Sequence, residues 1–163
     1  ISVPYATSDG NYYGIINAIE SNEIYSDSLA LTVLIHSQAS DFVFDWNTAS
    51  FAVAGLHIVD WNIANTGLET ITIDTIKVTG WSTNDLDGAT ISTIRLNNAI
   101  VWGPGTGTDG QELDITDFNI ASGQYFTTNN KIQFSNPVND DGESISITFK
   151  FSDGSTYTTP YWP

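Results

Sequence analysis

The sequence predicts an all-β protein, a β-sandwich of the immunoglobulin-like type with about eight or nine strands. Three observations lead to this fold class. Apolar and polar residues alternate in many short runs, which is the period of a strand with one buried face. Clusters of Gly, Asn and Asp separate these runs. The chain has 163 residues, 40% of them hydrophobic, which is enough to bury one core.

The first strands are predicted at residues 29–35 and 42–46, where large apolar side chains occupy every second position. Residues 12–19 are apolar at both helical and strand spacings, so a helical turn and an extended strand are equally favoured there. Residues 56–63 form the next predicted strand. The Asn-Thr-Gly sequence at 65–67 then supplies a turn with a Gly that tolerates positive φ.

The later strands follow the same alternation. The apolar register slips between Ile73 and Ile76, which predicts either a β-bulge or a strand that changes sheets. Asn97 and Asn98 separate two apolar runs and predict a tight hairpin. Strands are also expected at the following ranges: 113–120, 131–134, 145–151, which has the most regular alternation, and 156–162, after a turn at Asp-Gly 153–154.

The charge is strongly acidic, with 19 Asp and Glu against 4 Lys and Arg, a formal net charge of −15. A surface with so few cations cannot neutralise phosphates, so nucleic acid and anionic membranes are excluded as partners. No apolar run approaches the roughly 18 residues of a membrane span. The composition favours cations, or partners that are neutral or basic.

The chain contains neither Cys nor Met and begins with Ile1. We therefore expect a processed, secreted protein at the cell surface, without disulfide bonds. Its stability is expected to come from the core or from assembly.

Residues suited to catalysis are few. His36 and His57 both lie within strand patterns, and no thiol nucleophile exists. Most carboxylates adjoin Gly or Asn in turns, where Asp satisfies its own backbone. The sequence therefore predicts a protein that is not an enzyme.

Calcium is the one metal that the sequence suggests, and no other cofactor is expected. Three loops gather oxygen ligands beside a Gly, although none has the spacing of an EF-hand. The candidate ligands are Asp85, Asp87, Asp109, Asp140 and Asp141. The alternative is that these residues only form turns between strands.

The tryptophans divide into two groups. Trp46 and Trp61 alternate with core positions and are expected between the sheets. Trp81, Trp102 and Trp162 lie near strand ends beside Gly or Pro. They are candidates for contact with sugar rings or a neighbouring subunit, the alternative being packing at the edge of the core.

The N-terminal residues have the pattern of a detached strand. Ile1, Val3 and Tyr5 alternate with smaller or polar residues, and a polar hinge follows. We interpret residues 1–10 as a tail and 11–163 as one sandwich domain. Such a tail can complete the open sheet edge of another copy, and head-to-tail repetition gives a homopolymer. The alternative is a frayed end or an ordinary first strand.

Three segments resemble the outer immunoglobulin-like domains of archaeal surface-filament proteins, which include pilins, archaellins and their accessory sandwich proteins. The segments are residues 60–67 (DWNIANTG), 71–76 (ITIDTI) and 147–154 (ITFKFSDG). Type IV-like pilins have a long hydrophobic N-terminal helix, which this sequence does not contain. If the chain is complete, the resemblance is nearer to the secreted donor-strand subunits of archaeal threads and bundling pili; if it is trimmed, the resemblance is nearer to an archaellum accessory or pilin head domain.

The resemblance implies a structural subunit of an extracellular filament that serves adhesion or biofilm formation. The alternative function is a secreted binding module that contacts glycans or a surface-layer protein.

Overall fold

The computed structural model describes residues 10–16, 29–81, 88–138 and 144–162, and these are almost entirely β. The chain consists of two compact units, Ile1–Ser37 and Gln38–Pro163. The boundary that the sequence suggested after residue 10 stays a prediction. Each unit is described by itself.

The first unit contains one antiparallel hairpin. Strand β1 (Gly10–Ile16) pairs with β2 (Leu29–Ile35) along its whole length, from Gly10 opposite Ile35 to Ile16 opposite Leu29. The alternation at 29–35 is thus confirmed as a strand. The segment at 12–19, which the sequence left between helix and strand, is extended as far as Ile16, in keeping with its aromatic and β-branched residues and with Gly14.

The second unit contains one short helix and a series of short strands. They are α1 (Gln38–Asp41), β3 (Phe42–Asp45), β4 (Ser50–Ala52), β5 (His57–Val59), β6 (Asn62–Asn65), β7 (Ile71–Thr79), β8 (Ile91–Leu96), β9 (Ala99–Trp102), β10 (Glu112–Ile120), β11 (Tyr125–Phe126), β12 (Lys131–Phe134), β13 (Ser146–Phe151) and β14 (Thr156–Thr158). The strands outnumber the sequence expectation because the run at 56–63 is divided into β5 and β6, and because the short strands β4 and β11 were not predicted.

These strands form three antiparallel sheets around one hydrophobic cluster, consistent with a β-sandwich. The four-stranded sheet has the order β10-β7-β13-β14. The three-stranded sheet has the order β11-β6-β3, and the five-stranded sheet the order β4-β5-β12-β8-β9. The last two sheets are joined by three direct chain connections, β3 to β4, β5 to β6 and β11 to β12. Each of these segments passes from one of the two sheets into the other. Strands β9 and β10, at the edges of different sheets, lie side by side.

A kink at Asp60 divides the run at 56–63, which the sequence predicted as one strand. Asp60 has a φ of 61° and its N–H donates to the carbonyl of Asn130 at 3.0 Å. The Asn130 side chain is fully buried, and its Nδ2 donates to the carbonyl of Trp61 at 2.7 Å. Asn130 lies at the break between β11 and β12, and it contacts the break between β5 and β6. One buried amide therefore stabilises both breaks.

The same amide anchors the β8–β9 hairpin. Asn97 and Asn98 have φ values of 46° and 67°, as a two-residue hairpin turn requires, so the predicted hairpin is confirmed. The N–H of Asn97 donates to Oδ1 of Asn130 at 2.9 Å. The turn is thereby tied to the adjacent strand pair.

The register slip in β7 is a β-bulge. Lys150 and Phe151 are consecutive in β13, yet they pair with Thr75 and Ile73, which leaves Asp74 as the extra residue. The bulge turns the apolar residues on both sides of Asp74 toward the core. The predicted bulge is therefore confirmed, and β7 stays in one sheet.

Aromatic side chains occupy the centre of the core. Trp61 is fully buried, as predicted, and stacks on Phe44 with ring centroids 5.4 Å apart. Phe149 lies 6.0 Å from Trp61 on the opposite sheet. Each such side chain stabilises the fold by about 1.5–3 kcal/mol relative to exposure. Trp46, which was expected in the core, is only half-buried because it lies at the rim, against Phe44 and Trp162.

Candidate interaction surfaces

The two edges of the four-stranded sheet differ in length and charge. Strand β10 is nine residues long, and its carboxylates at Glu112, Asp114 and Asp117 are exposed. Strand β14 has only three residues, Thr-Tyr-Thr, and no charge. Within the part of the chain that the structure describes, no strand pairs with the outer side of β14.

The hydrogen bonds of β14 show which of its backbone groups point outward. The N–H of Phe151 donates to the carbonyl of Ser155 at 2.9 Å, and the N–H of Thr159 donates to the carbonyl of Ile147 at 2.9 Å. Because backbone groups alternate in direction along a strand, those of Thr156 and Thr158 face away from β13. These two residues present the open edge.

Asp153 positions β14. Its Oδ1 accepts hydrogen bonds from the N–H and the hydroxyl of Ser155 at 2.9 and 2.6 Å, which fixes the β13–β14 turn. Its Oδ2 accepts the N–H of Gln38, the first residue of α1, at 2.8 Å. Burial alone would raise the pKa of Asp153, but the hydrogen bonds from Gln38 and Ser155 outweigh it and lower this pKa below 3.8.

A buried polar contact fixes the other end of β14. The hydroxyl of Thr159 accepts the N–H of Ile147 at 2.9 Å, and the hydroxyl of Ser146 donates to the carbonyl of Thr159 at 2.9 Å. Both side chains are buried. The three-residue edge is thus held firmly at each end.

The proposed donor residues Ile1, Val3 and Tyr5 lie outside the described residues, so their role stays a prediction. The same holds for four of the five candidate calcium ligands, Asp85, Asp87, Asp140 and Asp141.

Asp109 is the one candidate calcium ligand that the structure describes. Its carboxylate accepts the N–H of Gly80 at 3.0 and 3.2 Å, which supports a turn where Gly80 has a φ of 87°. No cluster of three His, Cys, Asp or Glu side chains suited to a metal occurs among the described residues. The contact to Gly80 is the turn-forming role that the sequence offered as the alternative to calcium.

Trp81 does not present its ring to a partner, contrary to the expectation of a contact residue. Its side chain has 0% exposure and packs on Phe134, with ring centroids 5.2 Å apart. The reason is its place at the end of β7, where it points into the core instead of continuing the sheet surface.

Trp102 and Trp162 are half-buried and pack at the rim of the core. Trp102 covers Gly105, where an added Cβ would lie 2.5 Å from the indole. Trp162 stacks on Trp46 with centroids 5.3 Å apart and planes 13° apart, and it contacts Phe51 at 4.7 Å. One face of each ring is used in packing, so ligand contact through the remaining surface stays a prediction.

His57 lies on β5, opposite Ala52 and Gln133. Its partial burial lowers the pKa of the imidazole, and the nearby positive charge of Lys131 lowers it further. The side chain belongs to a strand surface, in agreement with the structural role that the sequence favoured for it.

A polar cavity of about 400 Å³ opens beside this strand surface and was not predicted from the sequence. It is lined by Val59, Asp60, Arg95, Asn98, Asn129, Asn130 and Lys131. Lys131 pairs with Val59 on one side and Arg95 on the other, so a row of three side chains crosses the sheet. The sequence does show how scarce cations are, but only the strand register reveals that two of them are neighbours.

No helix among the described residues is long and apolar enough to cross a membrane. In comparisons with known proteins, neither the models of protein families nor the curated proteins contain a match to this chain.

Proposed function

We propose that this chain is a structural subunit of an extracellular filament, in which copies associate by β-strand addition. The observation that carries the proposal is the uncharged open edge of β14 in a sheet whose other edge, β10, is acidic. The proposal includes a cell-surface location and a role in adhesion or biofilm formation, both of which rest on the sequence resemblance.

Edge strands template the pairing of another chain, and native proteins protect them with charge, proline or covering segments. The carboxylates on β10 provide such protection, since two copies of this edge repel one another. Strand β14 has no charge or proline and offers the outward backbone groups of Thr156 and Thr158. An incoming strand would therefore gain hydrogen bonds at β14 without bringing carboxylates together.

The donor in this proposal is the N-terminal segment, with Ile1, Val3 and Tyr5 on its apolar face. Its backbone would pair with β14 of the next copy, while those side chains would pack beside the exposed rim. Because donor and acceptor are different surfaces, the contact need not close on itself and can extend into a fibre.

An immunoglobulin-like arrangement of the sandwich is part of the proposal. In that fold the second strand pairs with the fifth, and the third with the sixth, in opposite sheets. Here β5 pairs with β12 and β7 pairs with β13, which supports the same arrangement. Strand β10 departs from this arrangement. It pairs with β7, although the β8–β9 hairpin, which belongs to the five-stranded sheet, lies between β7 and β10 in the chain.

The experiment supplies the donor segment and the acceptor edge as two separate molecules. A variant lacking residues 1–5 is mixed with a synthetic peptide of residues 1–8, and binding is followed by thermal denaturation, since a ligand of the native state raises its Tm. The control peptide replaces Ile1, Val3 and Tyr5 with Ser. Electron microscopy of the intact chain and of the truncated variant reports assembly.

We expect filaments from the intact chain, none from the truncated variant, and a saturable rise in Tm with the native peptide only. Filaments from the truncated variant, or equal responses to both peptides, would contradict strand addition by this segment.

A further inference from the structure

Cations are scarce in this chain, yet two of them are adjacent. The sequence has 4 Lys and Arg in all, and Lys131 and Arg95 are direct partners across β12 and β8. Their neighbours Ile132 and Ile94 are buried, so the two cations lie on the outer face of the sheet. Like charges directly opposite each other destabilise a sheet. The chain tolerates this pair although it has 19 acidic residues with which to separate the charges.

Among the described residues that line the cavity, Asp60 is the only acidic one. Its Oδ1 accepts the N–H of Asn129 at 3.4 Å, a long contact that stabilises the kink beside it. His57 lies two residues before Val59 on the same face of β5, and burial and Lys131 lower its pKa, which favours the neutral imidazole. The cavity therefore combines two positive charges with one negative charge and three Asn side chains.

The Arg95 guanidinium is hydrogen-bonded at one nitrogen, while its Nε has no hydrogen-bond partner among the described residues. Its Nη1 donates to the carbonyl of Asn98 at 3.1 Å. Its Nε is buried. A buried cationic donor without a partner is costly, so the site is incomplete as it stands. Because Nε is covered, the edge formed by Nε and Nη2 binds a carboxylate through two parallel hydrogen bonds only once the side chain turns this edge toward the cavity.

We infer that this cavity binds a carboxylate, with the Nε–Nη2 edge of Arg95 as a two-pronged donor and the Lys131 ammonium as the second positive charge. A planar carboxylate fits the guanidinium fork and would relieve both the unpaired Nε and the repulsion between the two cations. The amides of Asn98 and Asn129 offer further hydrogen bonds at the rim. The carboxylate could come from an acidic side chain of a second copy or from a small free acid.

The test uses the full chain, at a protein concentration where light scattering detects no filaments, and D-glucuronate, with D-glucose as a matched neutral sugar. Binding is measured by nuclear magnetic resonance from the Nε–H signal of Arg95. We expect a saturable shift with a Kd in the millimolar range, as for a single exposed ion-pair site, and none with glucose. Arg95→Lys keeps the charge but removes the fork, and should weaken binding about tenfold.

Lys131→Gln should weaken binding about fivefold and reduce its dependence on salt. Lys150→Gln removes the same charge from the other sheet and should leave the affinity within about twofold of wild type. The Thr156→Pro variant, altered at the β14 edge, should bind glucuronate normally, which separates this site from the proposed filament contact.

Sedimentation velocity distinguishes the two sources of the carboxylate. Self-association that Arg95→Lys weakens and glucuronate inhibits would identify a neighbouring copy as the source. Glucuronate binding without such association would identify a small acid. If both Arg95→Lys and Lys131→Gln are folded and change neither glucuronate binding nor self-association, the carboxylate site is refuted.

Discussion

The two edges of the four-stranded sheet differ in the features that oppose or permit the pairing of another strand. Strand β10 is long and has exposed carboxylates, and its register is interrupted between Asp114 and Phe118. Strand β14 is short and uncharged, with hydrogen-bonded anchors at both of its ends. An acidic, irregular edge resists a second strand, whereas a firmly held neutral edge can accept one.

Carboxylates have two different surroundings at these edges, in a protein with a net charge of −15. On β10 they are exposed, where the like charges of two copies would repel each other. Asp153, beside β14, instead accepts hydrogen bonds from Ser155 and Gln38 and organises the backbone. The carboxylate beside β14 is therefore engaged in hydrogen bonds, whereas those on β10 face the surroundings of the sheet.

The largest expected effect follows from Thr156→Pro. This residue begins β14 and its N–H faces outward, so proline removes a donor from the open edge without breaking the β13 ladder. We expect at least about a tenfold loss of polymer at unchanged protein concentration, measured by electron microscopy and light scattering.

Two further proline variants sharpen this result. Thr116→Pro lies in the irregular part of β10 and should leave assembly unchanged. Tyr157→Pro removes an inward N–H and leaves its ladder acceptor unpaired, which should lower the free energy of unfolding by about 1–3 kcal/mol. Normal assembly by Thr156→Pro would show that β14 is not the acceptor.

The second effect should come from neutralising β10. Replacing Glu112 with Gln, and Asp114 and Asp117 with Asn, removes the repulsion between copies of this edge. We expect about a tenfold increase in self-association that does not require residues 1–5, measured by sedimentation velocity. Addition of 1 M NaCl to the wild type should produce part of the same increase, because salt screens exposed charges. An unchanged sedimentation profile would mean that charge is not what protects β10.

A smaller effect is expected from Asp153→Asn. The substitution replaces a charged acceptor in the β13–β14 turn and should lower the free energy of unfolding at pH 7 by about 1 kcal/mol. In the wild type the pKa of Asp153 is lowered from 3.8, so its contribution is complete above that pH and is lost as the pH falls below it. Chemical denaturation between pH 2 and 5, values that bracket the usual range of Asp, should show this loss in the wild type and a flatter profile in the variant. Parallel profiles would contradict the role assigned to Asp153.

The smallest effect concerns His57, which lies on β5 and serves as a reference outside the four-stranded sheet. Burial and Lys131 lower its pKa from 6.5, so the folded state favours the neutral imidazole. Stability from this group is present above pH 6.5 and declines as the pH falls below it, because the unfolded chain binds the proton more readily. His57→Gln should slightly flatten the stability profile between pH 5 and 7, where His titrates, and leave assembly at β14 unchanged. A steeper profile would show that the sign of the shift is wrong.

Local sequence was sufficient for much of the fold. The alternation at Leu29–Ile35 and Ser146–Phe151 is a property of neighbouring residues, and both ranges are strands. Asn97 and Asn98 also specify their hairpin locally, because they tolerate positive φ. The bulge at Asp74 could be predicted because an extra residue shifts the apolar side chains from odd-numbered to even-numbered positions in the sequence.

Features that depend on distant residues were not accessible in this way. The kink at Asp60 depends on Asn130, far along the chain, so residues 56–63 resembled a single strand. Trp81 and Trp102 occupy similar places in the sequence, yet only Trp81 turns fully inward. The pairing of Arg95 with Lys131 follows from the register of β8 and β12, which composition does not reveal.

The shortness of β14 sets a limit on how strongly copies can hold one another there. The outward groups of Thr156 and Thr158 allow about four backbone hydrogen bonds, since each residue has one donor and one acceptor. At a net contribution of about 1 kcal/mol each, they barely offset the entropy lost on association. Fibres joined through this edge alone would exchange subunits and shorten on dilution. Lasting fibres would need most of their adhesion from side chains packed outside the ladder.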